Sequence, residues 1–198
     1  MRHSKSLGSL ATWPSRPGRS NSTKSSLADV AESQQAWPTS ADAYELLDEC
    51  GKGVSAEVYR ARCLVNNRIV GIKALNLEWL MTPLDEVMHE AQLMKAYKHG
   101  SILPLYCSFV TGQELWMVMP YMEGGSVAHI LRYKYPEGLS EAVIAAIMRK
   151  VLEALAYVHK QGDIHRDVKA GNVLVDGDGN VKLGDFGVAA MHAVVAFE

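Results

Sequence analysis

The sequence predicts an α+β fold in two parts: a small antiparallel sheet with one helix laid across it, then a mainly helical region. Three observations carry this. Short β-prone runs separated by glycine and asparagine turns fill residues 44–74 and 103–119. Pro120 and the pair Gly124-Gly125 then interrupt regular structure. Beyond them the composition shifts to helix, with one apolar stripe at three-and-four spacing.

Taken in order, residues 1–42 are rich in Ser, hold Pro14, Pro17 and Pro38, and show no periodicity, so they are expected to be a disordered tail. The first 28 residues are basic, Ser-rich and free of acid, the composition of an organelle transit peptide. Pro and Gly interrupt any amphipathic helix there, and a flexible tail is the plainer reading. Strands are expected at Tyr44 to Leu47, Val58 to Arg62 and Arg68 to Ala74, with turns at Gly51-Lys52-Gly53 and Asn66-Asn67. Pro83 opens a helix whose Val87, Ala91, Met94 and Ala96 share one face and which ends near Gly100. Strands at Leu103 to Val110 and Glu114 to Met119 follow, joined by Thr111-Gly112-Gln113. The boundary between two lobes falls near Met119 to Gly125, giving segments 43–119 and 120–198. Ser140 can cap a long helix whose stripe is Ile144, Ile147, Met148, Val151, Leu152, Leu155 and Val158, with Gly162 as its stop. Two short hairpins are expected after it. One holds residues 165–172 at its tip, and the other turns at Asp176-Gly177-Asp178-Gly179-Asn180.

Composition narrows the function. With 198 residues and 48% hydrophobic content the chain fits one ordinary domain, or a larger one cut short. The net charge of −2 hides an asymmetry: five Lys/Arg and no acid lie in residues 1–28, so the remainder carries −7. That charge argues against a nucleic-acid surface on the folded part. Cys50, Cys63 and Cys107 are odd in number and lack Cys-x-x-Cys spacing, which disfavours a disulfide framework or a zinc site. A reducing, cytoplasmic setting is expected, with the nucleus as the alternative. No apolar run is long enough to span a bilayer.

The residues that carry chemistry cluster at His165-Arg166-Asp167-Val168-Lys169-Ala170-Gly171-Asn172 and Asp185-Phe186-Gly187. Asp167 can accept the proton of an attacking hydroxyl and Lys169 can neutralise a γ-phosphate. Asn172, through its carbonyl oxygen, and Asp185 are hard-oxygen ligands suited to Mg²⁺. Upstream, Gly51-Lys52-Gly53-Val54-Ser55-Ala56-Glu57-Val58 lies between two strands, where backbone could cover a polyphosphate. A hairpin rich in glycine is common, and a plain structural turn stays open at this point. Lys73 ends an apolar strand and Glu90 lies on the helix after it; the two could pair and hold Lys73 toward α- and β-phosphate oxygens. The Asp176 to Asn180 run begins like a calcium-binding loop, but Val181 and Gly187 stand where that loop needs Gly and Glu, so it is read as a turn. His159 is read as a helix-end cation and His165 as a packing residue.

Together these pieces, in this order over Tyr44 to Ala190, resemble the protein kinase signature set. Lys169 after Asp167 resembles the Ser/Thr class. Leu115 to Met122 ahead of Gly124-Gly125-Ser126 is similar to the sterile-20 or germinal-centre group, within it the oxidative-stress-responsive type. The resemblance implies a two-lobed kinase fold, ATP and Mg²⁺ as cofactors, Ser/Thr of proteins as substrate, a place in a signalling cascade, and an upstream or regulatory partner. It implies that Met119 is the gatekeeper, that backbone of Pro120, Tyr121 and Met122 meets adenine, and that Val58 and Leu174 sandwich the base. It also implies a hydrophobic spine through Met94, His165 and Phe186. Gly71 departs from the family's usual Ala, and one lost methyl weakens nucleotide binding by about 0.8 kcal/mol. After Asp185 to Ala190 the family continues into an activation loop and further helices, where this sequence has only Met191 to Glu198. The expectation is therefore a domain with a complete first lobe and a partial second lobe, leaving one face of the Ser140 to Lys160 helix uncovered. A noncatalytic nucleotide-binding or scaffold fragment is the alternative.

Overall fold

The computed structural model of the chain describes residues 36–52, 56–79 and 83–186, excepting the side chain of Glu90. The expected tail over residues 1–35, the centre of the glycine turn at Gly53, Val54 and Ser55, and everything from Gly187 onward lie outside the described residues.

Five strands form one antiparallel sheet: β1 (Tyr44–Lys52), β2 (Ala56–Cys63), β3 (Ile69–Asn76), β4 (Cys107–Thr111) and β5 (Glu114–Pro120). Their order is β1-β2-β3-β5-β4. Helix α1 (Leu84–Ala96) lies in the chain between β3 and β4. The first three strands run further than β-propensity indicates, because pairing carries each across residues that would not form a strand alone. β1 reaches Lys52 with two register shifts, between Leu46 and Asp48 and between Glu49 and Gly51.

The alternation of β5 explains its continuous apolar run. Leu115 and Met117 enter a core shared with Val87, Ala91 and Met94 of α1, while Trp116 and Val118 enter a second core with Val70, Ile72, Ala61 and Cys63. A strand buried on both faces reads as uninterrupted hydrophobic sequence. The second core is closed by residues that composition groups with the tail. Trp37 stacks on Tyr106 with ring centroids 4.2 Å apart, and the Pro38 carbonyl accepts from the Tyr44 hydroxyl at 2.8 Å and the Cys107 thiol at 3.2 Å.

On α1, Val87, Ala91 and Met94 are buried as the spacing predicts, but Ala96 is exposed and Tyr97 takes the next inward position. Past β5 come the two-residue strand β6 (Gly125–Ser126), α2 (Val127–Tyr133), α3 (Glu141–Lys160), β7 (Val173–Val175) and β8 (Val181–Leu183). The second sheet has the order β6-β7-β8. The β7–β8 hairpin turns where expected. Asp178 and Asn180 backbone N–H groups donate to Asp176 Oδ1 at 3.0 and 2.8 Å, which commits that carboxylate to the turn. The other expected hairpin is not formed. Residues 164–168 have no strand partner, and the Ala170 carbonyl instead accepts from Ala128 N–H at 3.0 Å.

α3 starts after Ser140, which has the extended backbone of an N-cap but makes no side-chain capping bond. Gly162, at φ +88°, ends it as predicted. The predicted stripe divides in two. Val151 and Val158 are buried, with Ala154 beside them from outside the stripe, while Ile144, Met148 and Leu152 stand 39%, 47% and 59% exposed. The stripe is wider than the surface that β8 and its neighbours present to it.

Candidate active site

The site is assembled from the middle of β3, which runs three residues past Lys73 instead of ending there, from the ends of β5 and β8, and from the stretch after α3. Lys73 is held on β3 opposite Val58 of β2 and Met117 of β5. Its Nζ lies 3.1 Å from Asp185 Oδ1. The pairing expected with Glu90 falls outside the described residues, since only the backbone of Glu90 is described, within α1. What is described is an ion pair between the strand lysine and the carboxylate two residues past β8.

Around Asp167 the geometry is tight. Lys169 Nζ lies 2.6 Å from Asp167 Oδ2, and Asn172 Nδ2 donates to the same oxygen at 2.9 Å and to the Asp167 carbonyl at 2.8 Å. The Lys169 ammonium holds the Asp167 carboxyl below its ordinary range, with the Asn172 amide assisting. Because Nδ2 is spent on Asp167, the carbonyl oxygen of this buried Asn172 is the atom left to coordinate.

His165 is 1% exposed and more than a packing residue. Its Nδ1 accepts from Asp167 N–H at 3.3 Å, so Nε2 carries the proton and donates to the Gly184 carbonyl at 3.1 Å. That single ring ties the Asp167 segment to the Asp185 segment. Burial pushes its pKa down, opposed by the Gly184 carbonyl and the charges of Asp185 and Asp167. A group whose folded pKa is depressed contributes stability that is present above its unfolded pKa and lost as pH falls through that value. The melting temperature is therefore expected to decline as pH drops below about 6.5, ahead of the carboxylates, and His165→Phe is expected to flatten that limb. Thermal melts from pH 5 to 8 test this; equal slopes for both proteins would remove the assignment.

Arg166 and Asp185 have left-handed backbones, φ +65° and +58°, strain of about 1–3 kcal/mol each that the surrounding contacts must hold. Phe186, fully buried, supplies much of that hold. Its ring lies 4.5 Å from His165 and 5.2 Å from Tyr97, in one cluster with Met94.

At the other end, Gly71 faces Met119 across β3–β5, and a Cβ built on it would stand 3.4 Å from the Pro120 carbonyl and 3.6 Å from Met119 Cγ. Met122 is buried, and Met119, Pro120 and Tyr121 are half-buried. Leu174 of β7 lies beneath Gly184, 3.5 Å from where its Cβ would be. On the glycine turn, Lys52 and Tyr59 both bond the Glu57 carboxylate, and that acceptor pushes the Tyr59 hydroxyl up to about 12. Cys50 Sγ reaches the Tyr121 hydroxyl at 3.9 Å. Sequence reasoning missed Tyr97 and Asp163, both buried. The available signals were an aromatic just past a helix end and an acid between apolar Val158 and Ile164.

The family model described as Protein kinase domain matches residues 44–194. The chain belongs to the protein kinase domain family. Among curated relatives it is 43% identical over 155 residues to serine/threonine-protein kinase fray2 of Dictyostelium discoideum, covering 78% of this chain and 15% of that one. It is 41% identical over 166 residues to germinal center kinase 3 of Caenorhabditis elegans, covering 79% and 28%. Serine/threonine-protein kinase sid1 of Schizosaccharomyces pombe is 39% identical over 155 residues, covering 78% and 32%. This kinase domain thus has Ser/Thr kinases of the sterile-20 and germinal-centre type as relatives, and spans no more than about a third of their lengths. Its five-stranded sheet with α1 is the first lobe of the kinase fold, and α2, α3 and the β6-β7-β8 sheet are part of the second. Among the described residues no helix is long and apolar enough to cross a membrane, and no group of three or more His, Cys, Asp or Glu could hold a metal.

Proposed function

We propose that this chain carries the nucleotide site and catalytic stretch of a protein Ser/Thr kinase that moves the γ-phosphate of ATP to a Ser or Thr hydroxyl of a protein. The observation that carries the reading is the pair of linked clusters, Lys73–Asp185 and Asp167–Lys169–Asn172, joined through His165. Lys73 binds α- and β-phosphate oxygens, the Gly51 to Val58 turn covers them, and Lys169 neutralises the γ-phosphate. Asp167 orients the substrate hydroxyl and takes its proton. Val58, Gly71 and Leu174 enclose adenine, with Met119 as gatekeeper and backbone of Pro120 to Met122 along its edge. Glu90 pairs with Lys73 and steadies it toward the α- and β-phosphate oxygens.

Asp185 and Asn172 would hold Mg²⁺. Their chemistry fits a hard cation: one carboxylate 43% exposed and one amide whose nitrogen is already spent, both offering oxygen. When bound, the ion supplies neutralisation of charge on the phosphate oxygens. The domain divisions 43–119 and 120–198, a tail over 1–42, a place in a signalling cascade with an upstream or regulatory partner, and a cytoplasmic setting belong to the same proposal. Three free cysteines, two of them buried, suit a reducing compartment.

Mg·ATP is expected to raise the melting temperature of the chain, and Lys73→Met or Asp185→Asn to remove that rise. Calorimetric or fluorescent-nucleotide titration gives the affinity directly, and a saturable wild-type response that both variants retain would overturn the site. Gly71→Ala fits at ordinary contact distance. It is expected to stabilise the strand by about 0.5–1 kcal/mol and to tighten nucleotide binding by up to about 0.8 kcal/mol. Weaker binding in the same titration would show the methyl clashing with the base.

A further inference from the structure

Tyr97 and Asp163 form a buried polar contact that the proposed chemistry does not use. Tyr97, 3% exposed, is the first residue past α1 and stays attached to it, its N–H donating to the Leu93 carbonyl at 3.0 Å. Its hydroxyl donates to Asp163 Oδ2 at 2.7 Å. Asp163, 7% exposed, is attached in turn to the end of α3, its N–H donating to the Val158 carbonyl at 3.2 Å, and it stands two residues before His165. The Tyr97 ring lies 5.2 Å from Phe186 and makes an edge contact with Tyr157 of α3 at 5.9 Å. One side chain therefore touches α3, the residue after Asp185, and the segment that leads into Asp167, while fixed to α1.

Packing alone does not require the hydroxyl, because phenylalanine would fill the same volume. A hydroxyl–carboxyl bond buried from water is directional, and its partners have no solvent to fall back on, so it selects one placement of α1 over neighbouring placements that bury equal area. We propose that Tyr97 is a positioning residue for the metal–nucleotide site, which acts through Asp163 and Phe186 to fix the Asp167 and Asp185 segments relative to α1. This rests on the nucleotide reading above for its functional consequence, but its structural consequence stands apart from it.

The test compares the 198-residue chain with Tyr97→Phe and with Tyr97→Phe/Asp163→Leu, in which no polar partner is stranded. Two readouts are taken beside the melting temperature. One is hydrogen exchange, without nucleotide, at the amides of Asp167 and Gly184, which donate to His165 Nδ1 and to the Asn172 carbonyl. The other is binding of a fluorescent ATP analogue in Mg²⁺ and in EDTA. The double variant is expected to regain the wild-type melting temperature, yet to exchange faster at both amides and to lose about tenfold in affinity in Mg²⁺ with no change in EDTA. Tyr97→Phe is expected to show the same two losses with a lower melting temperature. Should the single variant not fold, the double variant decides. Wild-type exchange at both amides in the double variant overturns the proposal, as does an affinity that falls equally in Mg²⁺ and EDTA. A wild-type chain that binds no nucleotide overturns the nucleotide reading alone, and the exchange arm still settles the positioning role.

Discussion

Asp167→Asn is expected to lower phosphoryl transfer by about three orders of magnitude, within the range that a positioned general base contributes. Asp167 Oδ2 is the common acceptor of Lys169 Nζ and Asn172 Nδ2, so asparagine can keep an oxygen in that place and preserve the local shape. What it loses is the charge and the basic lone pair. Lys169, whose ammonium is strengthened by the Asp167 carboxylate, becomes an easier acid once that partner is neutral. The measurement is steady-state transfer to a protein substrate by a form spanning the whole kinase domain, with nucleotide affinity taken in parallel. A large fall in kcat at near-constant Mg·ATP affinity is the expected pattern. Unchanged turnover would remove Asp167 from the chemistry.

Phe186→Ala is expected to cost about 3–5 kcal/mol of stability. The ring is fully buried against His165 and Tyr97, and the strained backbone at Asp185 precedes it directly. The two adjacent rings are each held by a hydrogen bond, His165 to the Gly184 carbonyl and Tyr97 to Asp163, which limits their collapse into the space. For a domain of this size such a loss lowers the melting temperature by about 6–20 °C. Denaturant titration measures it; a loss under about 1 kcal/mol would mean the ring is not the keystone its burial indicates.

The local signals in the sequence were good wherever a strand or helix could be specified by its own residues. The β4–β5 turn, the β7–β8 turn and the Gly162 stop lie where glycine and aspartate chemistry puts them. Strand lengths were not legible, because β1 to β3 extend by pairing with one another. The expected hairpin with residues 165–172 at its tip is absent, because residues 163–168 have no strand partner before β7. The backbone of that stretch is held instead by His165 and by Ala128, neither of which leaves a periodic trace. In the site, the residues that carry charge were legible from their spacing. Their pairing was not: Lys73 on Asp185 depends on the position of β8 relative to β3, a tertiary quantity. Tyr97 with Asp163 and Trp37 with Tyr106 were invisible for the same reason, each joining residues about 66 to 69 positions apart.

The strand order has a kinetic consequence. Three of the four pairings in the sheet join strands adjacent in sequence, β1 with β2, β2 with β3 and β4 with β5, and each can close locally. Only β3 with β5 must wait for a long loop containing α1 to close, and that pairing sets Gly71 against Met119 and Lys73 against Met117. Long-range pairing is the slow step of such topologies. The β1-β2-β3 meander and the β4-β5 hairpin should thus exist before any adenine site does, and a nucleotide added during refolding would find its roof last.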